Sequence, residues 1–380
     1  MFKILHVIDD DKFIDLVLPR YFFNGCENQI IYIKKKFTYT GKYADITKWV
    51  KPESKHWFKD VVGNLSELNI IIVYNLTYEK ALFINALSKK PVIIWHFFGT
   101  EIYNQTSLSK YNFTERTRKI CTPEIKEILK KRLKEKVDLG KQLFKGDFSF
   151  LTEVQKAILT VDYFAWYNED EYNYLKSHVT TLPEFLQIPV TTTFPEPDYS
   201  AKAESKILVG NSSAPGNNHV DIFILLEELQ YKGEVIVPFG YGYNSVYREN
   251  IMQIMKGLSI DIHILEDFMP YQEYLHLLNT VTTAVFNSYR QMALGNIFML
   301  LFYGAKIFLS ENNPTYPWLK KLGFHIYSVE KDLEKALKSG DLKLGEEQML
   351  YNNALYIKMA DKSHLNKFIA QLPGLVKTRK

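Results

Sequence analysis

Short runs of apolar, mostly β-branched residues alternate along the chain with longer segments whose apolar positions recur at helical spacing. This alternation is typical of βαβ units, in which helices connect the strands of a parallel sheet. The runs form two groups, so the pattern predicts an α/β protein with two doubly wound sheets. The predicted strands are Lys3–Ile8, Gln29–Ile33, Asn69–Tyr74, Val92–His96 and Tyr163–Trp166 in the first group, and Lys206–Val209, Glu234–Pro238, Asp261–Leu265, Thr283–Phe286 and Lys306–Leu309 in the second.

The two groups are separated by residues 188–206, which carry three prolines and little apolar periodicity. Such a stretch is typical of an extended linker. The chain has 380 residues, and single cores usually divide beyond roughly 250–300 residues. We therefore expect a first Rossmann-like domain over residues 1–195 and a second over 204–345. The pattern after residue 346 is helical, and we expect the tail 346–380 to return and brace the first domain.

The charge balance excludes some partners. Lys and Arg number 47 against 43 Asp and Glu, a formal net charge of +4. A dedicated nucleic-acid binder is far more lopsided, so anionic small molecules or an anionic membrane surface fit better. Cys26 and Cys121 form no CxxC pair or zinc spacing and indicate reduced thiols in a cytosolic protein. The N-terminus lacks a signal-peptide pattern, and the longest apolar run, 297–309, is too short to span a bilayer.

The strongest local signal is ILVGNSSAPGNNH, residues 207–219. A strand ends at Gly210, a polar loop follows, and His219 opens an amphipathic helix. Backbone amides and a helix N-terminus in such a loop favour an anion, and a diphosphate suits the spacing. The loop matches neither GxGxxG nor the P-loop, and an ordinary strand-to-helix turn is the alternative. The diphosphate-binding candidates in this loop are Gly210, Asn211, Ser212, Asn217, Asn218 and His219.

Two later strands end in comparable loops. Gly240, Tyr241 and Gly242 follow the strand at 234–238, and a glycine turn packed by aromatic residues is the alternative to a ligand loop. Ligands of open α/β sheets bind beyond the carboxyl ends of strands, where these loops fall.

Arg290 follows the strand at 283–286, directly before an apolar helix. Its guanidinium can hold a phosphate oxygen pair while the amides at Gly295 and Asn296 face the same anion. A solvated surface charge is the alternative. Met269 lies between the loop after 234–238 and the loop after 283–286, and it completes the predicted set of ligand-binding residues.

Four stretches of the second half carry a resemblance to a known family: VGNSSAPGNNH, PFGYGYNSVY, MPYQEYL and FNSYRQMALGNIFMLLFYGAKIFL. They resemble the bacterial TDP-N-acetylfucosamine:lipid II N-acetylfucosaminyltransferases, also labelled 4-alpha-L-fucosyltransferases. The similarity covers about residues 205–325, and the first half in patches: HVID, FFN and WHFFGTEIY. The resemblance implies a GT-B fold, with two Rossmann-like domains facing a cleft.

The same resemblance implies the reaction and its partners. The donor would be a TDP-linked 4-amino-6-deoxy sugar, and the acceptor a polyprenyl-diphosphate-linked glycan at the inner face of the cytoplasmic membrane. GT-B enzymes generally offset leaving-group charge with amides and basic side chains, so we expect no cofactor and no metal. The sequence itself leaves the choice between TDP and UDP open.

The first domain offers candidates for the catalytic base. The stretch PVIIWHFFGTEIY is a buried strand ending in His96, Gly99 and Glu101. Sugar transfer with inversion needs a base for the proton of the acceptor hydroxyl, and a carboxylate or imidazole can supply it. Glu101 is the first candidate and His96 the second. The alternatives are a hydrogen-bonded core histidine and a helix-capping glutamate.

Other first-domain segments suggest acceptor or membrane contact. Asp11, Lys12 and Gly99 are the acceptor-side candidates, with helix capping as the alternative for the aspartate. The lysine-rich segment 123–145 has one apolar face and predicts a helix lying on anionic lipid. A core-facing helix with a solvated charged face is equally compatible with that pattern.

Two rival functions stay open at this stage. A sugar-nucleotide epimerase of the same two-sheet architecture would need no acceptor. A non-catalytic glycan-binding domain would have lost its base. The second alternative draws on the region between Asn287 and Asn296, which contains Gln291 and no carboxylate.

Overall fold

The computed structural model describes residues 1–52, 67–87, 91–103, 108, 111–121, 150–179, 181–202, 204–240, 245–267 and 269–378. The chain divides into two compact units, each built on one parallel sheet. Unit 1 comprises residues 1–107, 134–192 and 360–380, and unit 2 comprises 108–133 and 193–359. The prediction of two doubly wound sheets is confirmed.

The regular elements follow one another in the βα alternation that the apolar pattern predicts. The strands are β1 Phe2–Ile8, β2 Cys26–Ile33, β3 Thr47–Val50, β4 Ile70–Tyr74, β5 Val92–His96, β6 Tyr163–Trp166, β7 Glu184–Gln187, β8 Lys206–Val209, β9 Glu234–Pro238, β10 Ile262–Leu265, β11 Thr283–Phe286, β12 Lys306–Leu309 and β13 Tyr327–Ser328. The described α-helices are α1 Asp11–Val17, α2 Tyr78–Asn85, α3 Thr100–Tyr103, α4 Glu115–Cys121, α5 Phe150–Ile158, α6 Glu169–His178, α7 His219–Glu228, α8 Ser245–Lys256, α9 Tyr271–Thr280, α10 Leu294–Phe302, α11 Thr315–Leu322, α12 Glu334–Ser339, α13 Glu346–Met359 and α14 Lys362–Thr378.

The sheet of unit 1 has the order β3-β2-β1-β4-β5-β6-β7, and its described strand pairs are all parallel. Every residue of β4 and β5 is buried. Parallel sheets are covered on both faces, which is why their central strands read as continuous apolar runs rather than as alternating ones. Phe368 and Leu372 of α14 belong to the apolar core of this unit.

The sheet of unit 2 has the order β10-β9-β8-β11-β12-β13, again with parallel pairs. Its core joins the buried strands to α7 and α8, through residues such as Phe223, Leu226 and Ile251. α10 packs on α13, where Asn353 donates a hydrogen bond from Nδ2 to the carbonyl of Phe302 at 2.7 Å. The helix that His219 was predicted to open is therefore present as α7.

Three strands escape the sequence pattern, because each is an edge or near-edge strand with few apolar residues. Two residues of β3 and two of β7 are exposed, and β13 has only two residues. The helical tail also differs from the prediction. It breaks at residues 360–361, where Asp361 caps α14 by accepting from the Ser363 amide at 2.8 Å. Only α14 joins unit 1, while α13 stays in unit 2.

A further difference lies between β5 and β6. Residues 108–133 belong to unit 2, although the sequence places them in the first domain. Their described part anchors there through hydrogen bonds of Asn112 and Thr114 with Asn218 and through Ile120 and Cys121, which pack against the apolar core. Within the described residues, no helix is long and apolar enough to cross a membrane. The predicted basic helix over 123–145 lies outside the described residues.

Candidate functional site

The carboxyl edge of the unit 2 sheet has a switch point between β8 and β11. From β8 the chain proceeds through β9 to β10 on one side, and from β11 through β12 to β13 on the other. The loops after β8 and β11 therefore leave in opposite directions and open a crevice, which is where open α/β sheets bind ligands. Both loops were predicted from sequence to bind the donor.

The loop after β8 begins at Gly210, whose φ of +68° lies in the left-handed region. A Cβ at this position would lie 2.6 Å from Nε2 of His219 and 3.1 Å from Cγ of Asn217. Backbone conformation and space both require glycine here. The tight turn lets the chain fold straight from the strand into the loop beneath the crevice.

Asn217 holds the loop in shape through its amide. Its Oδ1 accepts from the backbone N–H of Asn211 at 3.2 Å, and its Nδ2 donates to the carbonyls of Ser212 at 2.9 Å and Ala214 at 3.2 Å. The side chain was predicted to contact the donor directly. Its polar atoms are instead used to order the backbone that would meet a ligand.

Asn218 is fully buried at a φ of +51° and connects three segments of unit 2. Its Nδ2 donates to the carbonyl of Asn287 at 2.8 Å and to that of Asn112 at 3.3 Å, while its Oδ1 accepts from the Thr114 amide at 3.0 Å. Asparagine tolerates the left-handed conformation better than most residues. This side chain ties the loop after β8 to the loop after β11.

The His219 imidazole packs against the back of the Gly210 turn. It is fully buried beside Phe223, with ring centroids 5.8 Å apart, and its Nδ1 lies 2.8 Å from the Tyr247 hydroxyl. Desolvation lowers the pKa of His219 to about 3, so the ring is neutral near pH 7. His219 supports the turn and supplies no positive charge to a bound anion.

Arg290 is the cation of the crevice. It follows β11, is 8% exposed, and donates from Nη1 to the carbonyl of Gln291 at 3.2 Å. A Cβ on Gly216 would lie 3.8 Å from Nε of Arg290 and 3.0 Å from Sδ of Met292. The guanidinium therefore lies beside the loop after β8.

The N-terminus of α10 lies immediately after Arg290 in the chain. Ala293 precedes the helix at a φ of +60°, and no described side chain caps the first turn. Gly295 is exposed, and a Cβ there would meet nothing within 4 Å. Asn296 donates from Nδ2 to the Tyr274 hydroxyl at 2.8 Å, so its side chain is used within the protein. The first-turn amides and Arg290 are the groups suited to an anion.

The remaining donor candidates lie along the same edge. Gly240 follows β9, where a Cβ would lie 3.0 Å from the carbonyl oxygen of Asp267, so the glycine allows the ends of β9 and β10 to approach closely. Met269 follows β10 and is half-buried. Tyr241 and Gly242 lie outside the described residues.

Sequence reasoning missed the contribution of the loop after β12. Asn313 donates from Nδ2 to Oγ of Ser288 at 2.9 Å and accepts on Oδ1 from the Thr315 amide at 2.9 Å. Asn313 therefore joins the loop after β12 to the loop after β11, in which Ser288 lies. The Asn-Pro pair at 313–314 is a turn signal that could have indicated this role.

Glu101 lies in the first turn of α3 in unit 1 and is 6% exposed. Its Oε1 accepts from Nε1 of Trp95 at 3.1 Å and from the amide of Phe98 at 2.9 Å. Its Oε2 is buried and has no hydrogen-bond partner among the described residues. Burial raises the pKa of Glu101 above its ordinary value, which makes the carboxylate a better proton acceptor.

His96 ends β5 and is fully enclosed. Its Nδ1 lies 3.0 Å from the Tyr21 hydroxyl, and its ring centroid is 5.1 Å from that of Tyr74. Burial, together with the charge of Arg20, holds the pKa of His96 well below its ordinary value. The imidazole is therefore neutral, and its environment is that of a hydrogen-bonded core residue.

The acceptor-side candidates occupy the carboxyl edge of the unit 1 sheet. Asp11 forms an ion pair with Lys34 at 2.5 Å. Although partial burial opposes the shift, hydrogen bonds from Lys34 and Thr38 lower the pKa of Asp11 to about 2. Gly99 has a φ of +107° between β5 and α3. The backbone of Lys12 lies in α1.

Sequence reasoning also missed Lys80 in this unit. It is fully buried, forms an ion pair with Asp9 at 2.6 Å, and donates to the carbonyl of Asn75 at 2.9 Å. A lysine within a helical pattern normally indicates a solvated position, so no sequence signal distinguishes this one. Its charge fixes the ends of β1 and β4 to each other.

A comparison with protein families matches residues 154–363, more than half of the chain, to the 4-alpha-L-fucosyltransferases of glycosyl transferase group 56. The chain belongs to glycosyl transferase group 56. The expected resemblance is thereby confirmed, and the protein is a glycosyltransferase. The loops after β8, β11 and β12 lie within the matched range, whereas His96 and Glu101 lie before it.

Several solved structures share the fold of this group 56 enzyme. An alpha-glucosyltransferase in complex with UDP-glucose and DNA containing an abasic site has a TM-score of 0.61 at 12% identity, covering 98% of both chains. The sucrose-phosphate synthase of Thermosynechococcus elongatus has a TM-score of 0.60 at 10% identity, covering 99% of this chain and 96% of its own. The N-terminal domain of Candida albicans trehalose-6-phosphate phosphatase has a TM-score of 0.59 at 11% identity, covering 99% and 97%. The predicted GT-B fold is confirmed.

The Gly210 turn gives a stability prediction with a matched control in the same unit. Gly340 has a φ of +72° and nothing within 4 Å of an added Cβ, so Gly340→Ala meets the backbone penalty alone. We expect Gly340→Ala to lower the free energy of unfolding by about 1–2 kcal/mol. Gly210→Ala adds a clash with the enclosed His219 ring and should lower it by about 2–5 kcal/mol. Urea unfolding measures both variants, and equal losses would contradict the steric argument.

Proposed function

We propose that this group 56 enzyme transfers a deoxyamino sugar of N-acetylfucosamine type from a TDP- or UDP-linked donor to a polyprenyl-diphosphate-linked or surface glycan. The observation that carries the donor half is the position of Arg290, with its Nε 3.8 Å from the Cβ position of Gly216 in the facing loop. A fixed cation beside a glycine-bearing loop at a switch point suits a diphosphate. No cofactor and no metal ion form part of the proposal.

In this proposal the donor diphosphate lies between two strand-end loops of unit 2. The Arg290 guanidinium contacts its oxygens, and the first-turn amides of α10 add the positive end of the helix dipole. Asn217 and Asn218 keep the loop after β8 in its bound shape. These groups offset the negative charge that develops on the leaving nucleoside diphosphate as the glycosidic bond breaks.

The acceptor half of the proposal assigns the proton transfer to unit 1. Oε2 of Glu101 takes the proton of the acceptor hydroxyl as the hydroxyl oxygen attacks the anomeric carbon and the bond to the nucleoside diphosphate breaks. Trp95 and Phe98 keep Oε1 fixed. His96 is the second candidate, because its neutral imidazole can also accept a proton. Asp11, Lys12 and Gly99 are proposed to contact the acceptor.

The proposed location is cytoplasmic and peripheral, at the inner face of the membrane where a polyprenyl-linked acceptor is presented. The formal charge of +4 supports contact with anionic lipid only weakly, at about 1 kcal/mol per Lys or Arg near the surface. Cosedimentation with anionic and neutral vesicles compares the two surfaces.

Calorimetry with TDP, UDP and inorganic phosphate tests the donor assignment on the purified protein. We expect one nucleoside diphosphate to bind and to raise the melting temperature, since a ligand at 100 times its Kd adds roughly 2.7 kcal/mol of stability. Absence of binding by both nucleotides would contradict the proposal. Incubation of the nucleotide-sugar without acceptor then separates transfer from epimerisation, because an epimerase converts the free donor.

A further inference from the structure

Arg20 is buried in a cluster of polar aromatic side chains at the carboxyl edge of the unit 1 sheet. It lies in the 3-10 turn Leu18–Tyr21 and is 3% exposed. Its guanidinium carbon is 5.3 Å from the centroid of the Tyr167 ring, which directly follows β6. The neighbouring Tyr21 hydroxyl contacts His96 at the end of β5.

The guanidinium has unused hydrogen-bonding capacity. Nε and Nη1 of Arg20 are buried and have no partner among the described residues, which leaves three of its five N–H donors without an acceptor. No described carboxylate forms an ion pair with it, whereas Lys80 and Lys306, which are buried to a similar degree, pair with Asp9 and Asp341. Arg20 differs from them in lacking a negative partner.

The groups around Arg20 do not supply that charge. Burial and the charge of Arg20 hold the pKa of His96 well below its ordinary value, so its ring is neutral near pH 7. Burial also raises the pKa of Tyr21 and Tyr74 far above neutrality, so both hydroxyls keep their protons. An arginine stays charged in any protein environment, and a buried charge without a partner is strongly destabilising. An oxyanion from outside the chain would remove this cost.

The cluster also brings together the first-half stretches that carry the family resemblance. The His6 ring of HVID lies 5.5 Å from that of Phe22 in FFN, and Tyr21 bridges to His96 of WHFFGTEIY. The rings of His6 and His96 both contact that of Tyr21, the residue that follows Arg20 in the chain.

We propose that Arg20 binds a phosphate-type oxyanion of the acceptor, such as the diphosphate that joins a glycan to its polyprenyl carrier. The inference rests on the proposed transfer to a phosphate-linked acceptor. Arginine suits this ligand because its planar group offers several N–H donors to the oxygens of one phosphate. This site lies in unit 1 and is separate from the Arg290 loops of unit 2.

Inorganic pyrophosphate is the first probe, added to protein saturated with the nucleotide that binds in calorimetry, so that the donor loops are occupied. Arg20→Met should weaken pyrophosphate binding at least tenfold, and Arg20→Lys should keep part of it. Because Met removes an uncompensated charge, the ligand-free Arg20→Met protein should melt about 2–4 °C higher than wild type. A purely structural arginine predicts the reverse shift in melting temperature.

The second arm distinguishes the source of the oxyanion by comparing polyprenyl diphosphate with neutral polyprenol in detergent micelles. We expect wild-type protein to bind the diphosphate form at least tenfold more tightly than the alcohol, and Arg20→Met to remove this preference while nucleotide binding is unchanged. Arg20-dependent binding of pyrophosphate without binding of the lipid would overturn the acceptor assignment. Unchanged pyrophosphate binding by Arg20→Met would overturn the site. If the wild-type protein binds neither nucleotide, the donor assignment is refuted instead.

Discussion

Replacing Glu101 with glutamine should reduce kcat by about 10²–10⁴-fold while leaving the fold intact. A glutamine oxygen can still accept from Trp95 and Phe98, so both hydrogen bonds of Oε1 are preserved. The proton-accepting function of Oε2 is lost, because an amide does not take up a proton near pH 7. Steady-state kinetics with the identified donor and acceptor, together with the melting temperature, measure the two effects separately.

The wild-type pH profile gives an independent check on Glu101. Burial raises its pKa, so the active ionised form is lost as the pH falls through a value above the ordinary range of a glutamate. We expect kcat to decline on the acid side at that raised value. Glu101→Gln should remove this limb from its residual activity. If Glu101→Gln stays active and its kcat still declines at acid pH, another residue is the catalytic base. His96→Asn would then test the second candidate.

Replacing Arg290 with methionine should lower kcat/KM about 10²–10³-fold, equivalent to roughly 3–4 kcal/mol of transition-state stabilisation. Methionine keeps the apolar stem that lies beside Gly216 and Met292 but removes the charge. Nucleoside diphosphate binding should weaken in calorimetry, because in the proposed donor site the same guanidinium contacts the diphosphate. The melting temperature of Arg290→Met measures any change in stability separately from the loss of binding.

Two variants act as controls for Arg290. Arg290→Lys keeps the charge without the planar fork and should fall between wild type and Arg290→Met. Gly295→Ala adds a methyl group on the exposed first turn of α10, where nothing lies within 4 Å, and should stabilise the helix slightly. If the donor approaches that turn, Gly295→Ala lowers donor affinity despite its higher stability. A kcat/KM of Arg290→Met equal to that of wild type would refute the proposed contact between Arg290 and the diphosphate.

The sequence predicted the central strands and the loops because parallel sheets leave a strong pattern. Every residue of β4, β5 and β11 is buried, and these strands are therefore recognisable as largely apolar runs. The edge strands β3 and β7 face solvent with polar residues, and short mixed segments of this kind have no distinctive period. The GT-B fold followed from the resemblance in the second half of the chain.

The roles of individual site residues were harder to predict, because a sequence shows which polar residues enter a loop but not which way they turn. Asn217, Asn218 and His219 were all expected to contact the donor, and each uses its side chain to hold the loop. Arg290 could be identified because it is the one arginine between β11 and α10. Arg20 gave no signal, since its burial depends on a fold that brings distant aromatic residues around it.

The division of the chain into units constrains how the protein can be synthesised. Unit 2 needs Asn112 and Thr114, which complete the hydrogen bonds of Asn218 and leave the ribosome about a hundred residues before it. Unit 1 needs Phe368 and Leu372 for its core, and these are synthesised after the whole of unit 2. Each unit is built from separate stretches of the chain, so neither unit can complete its fold until part of the other has been synthesised. The core of unit 1 therefore cannot be completed until α14 has left the ribosome, although the strands of that core are synthesised first.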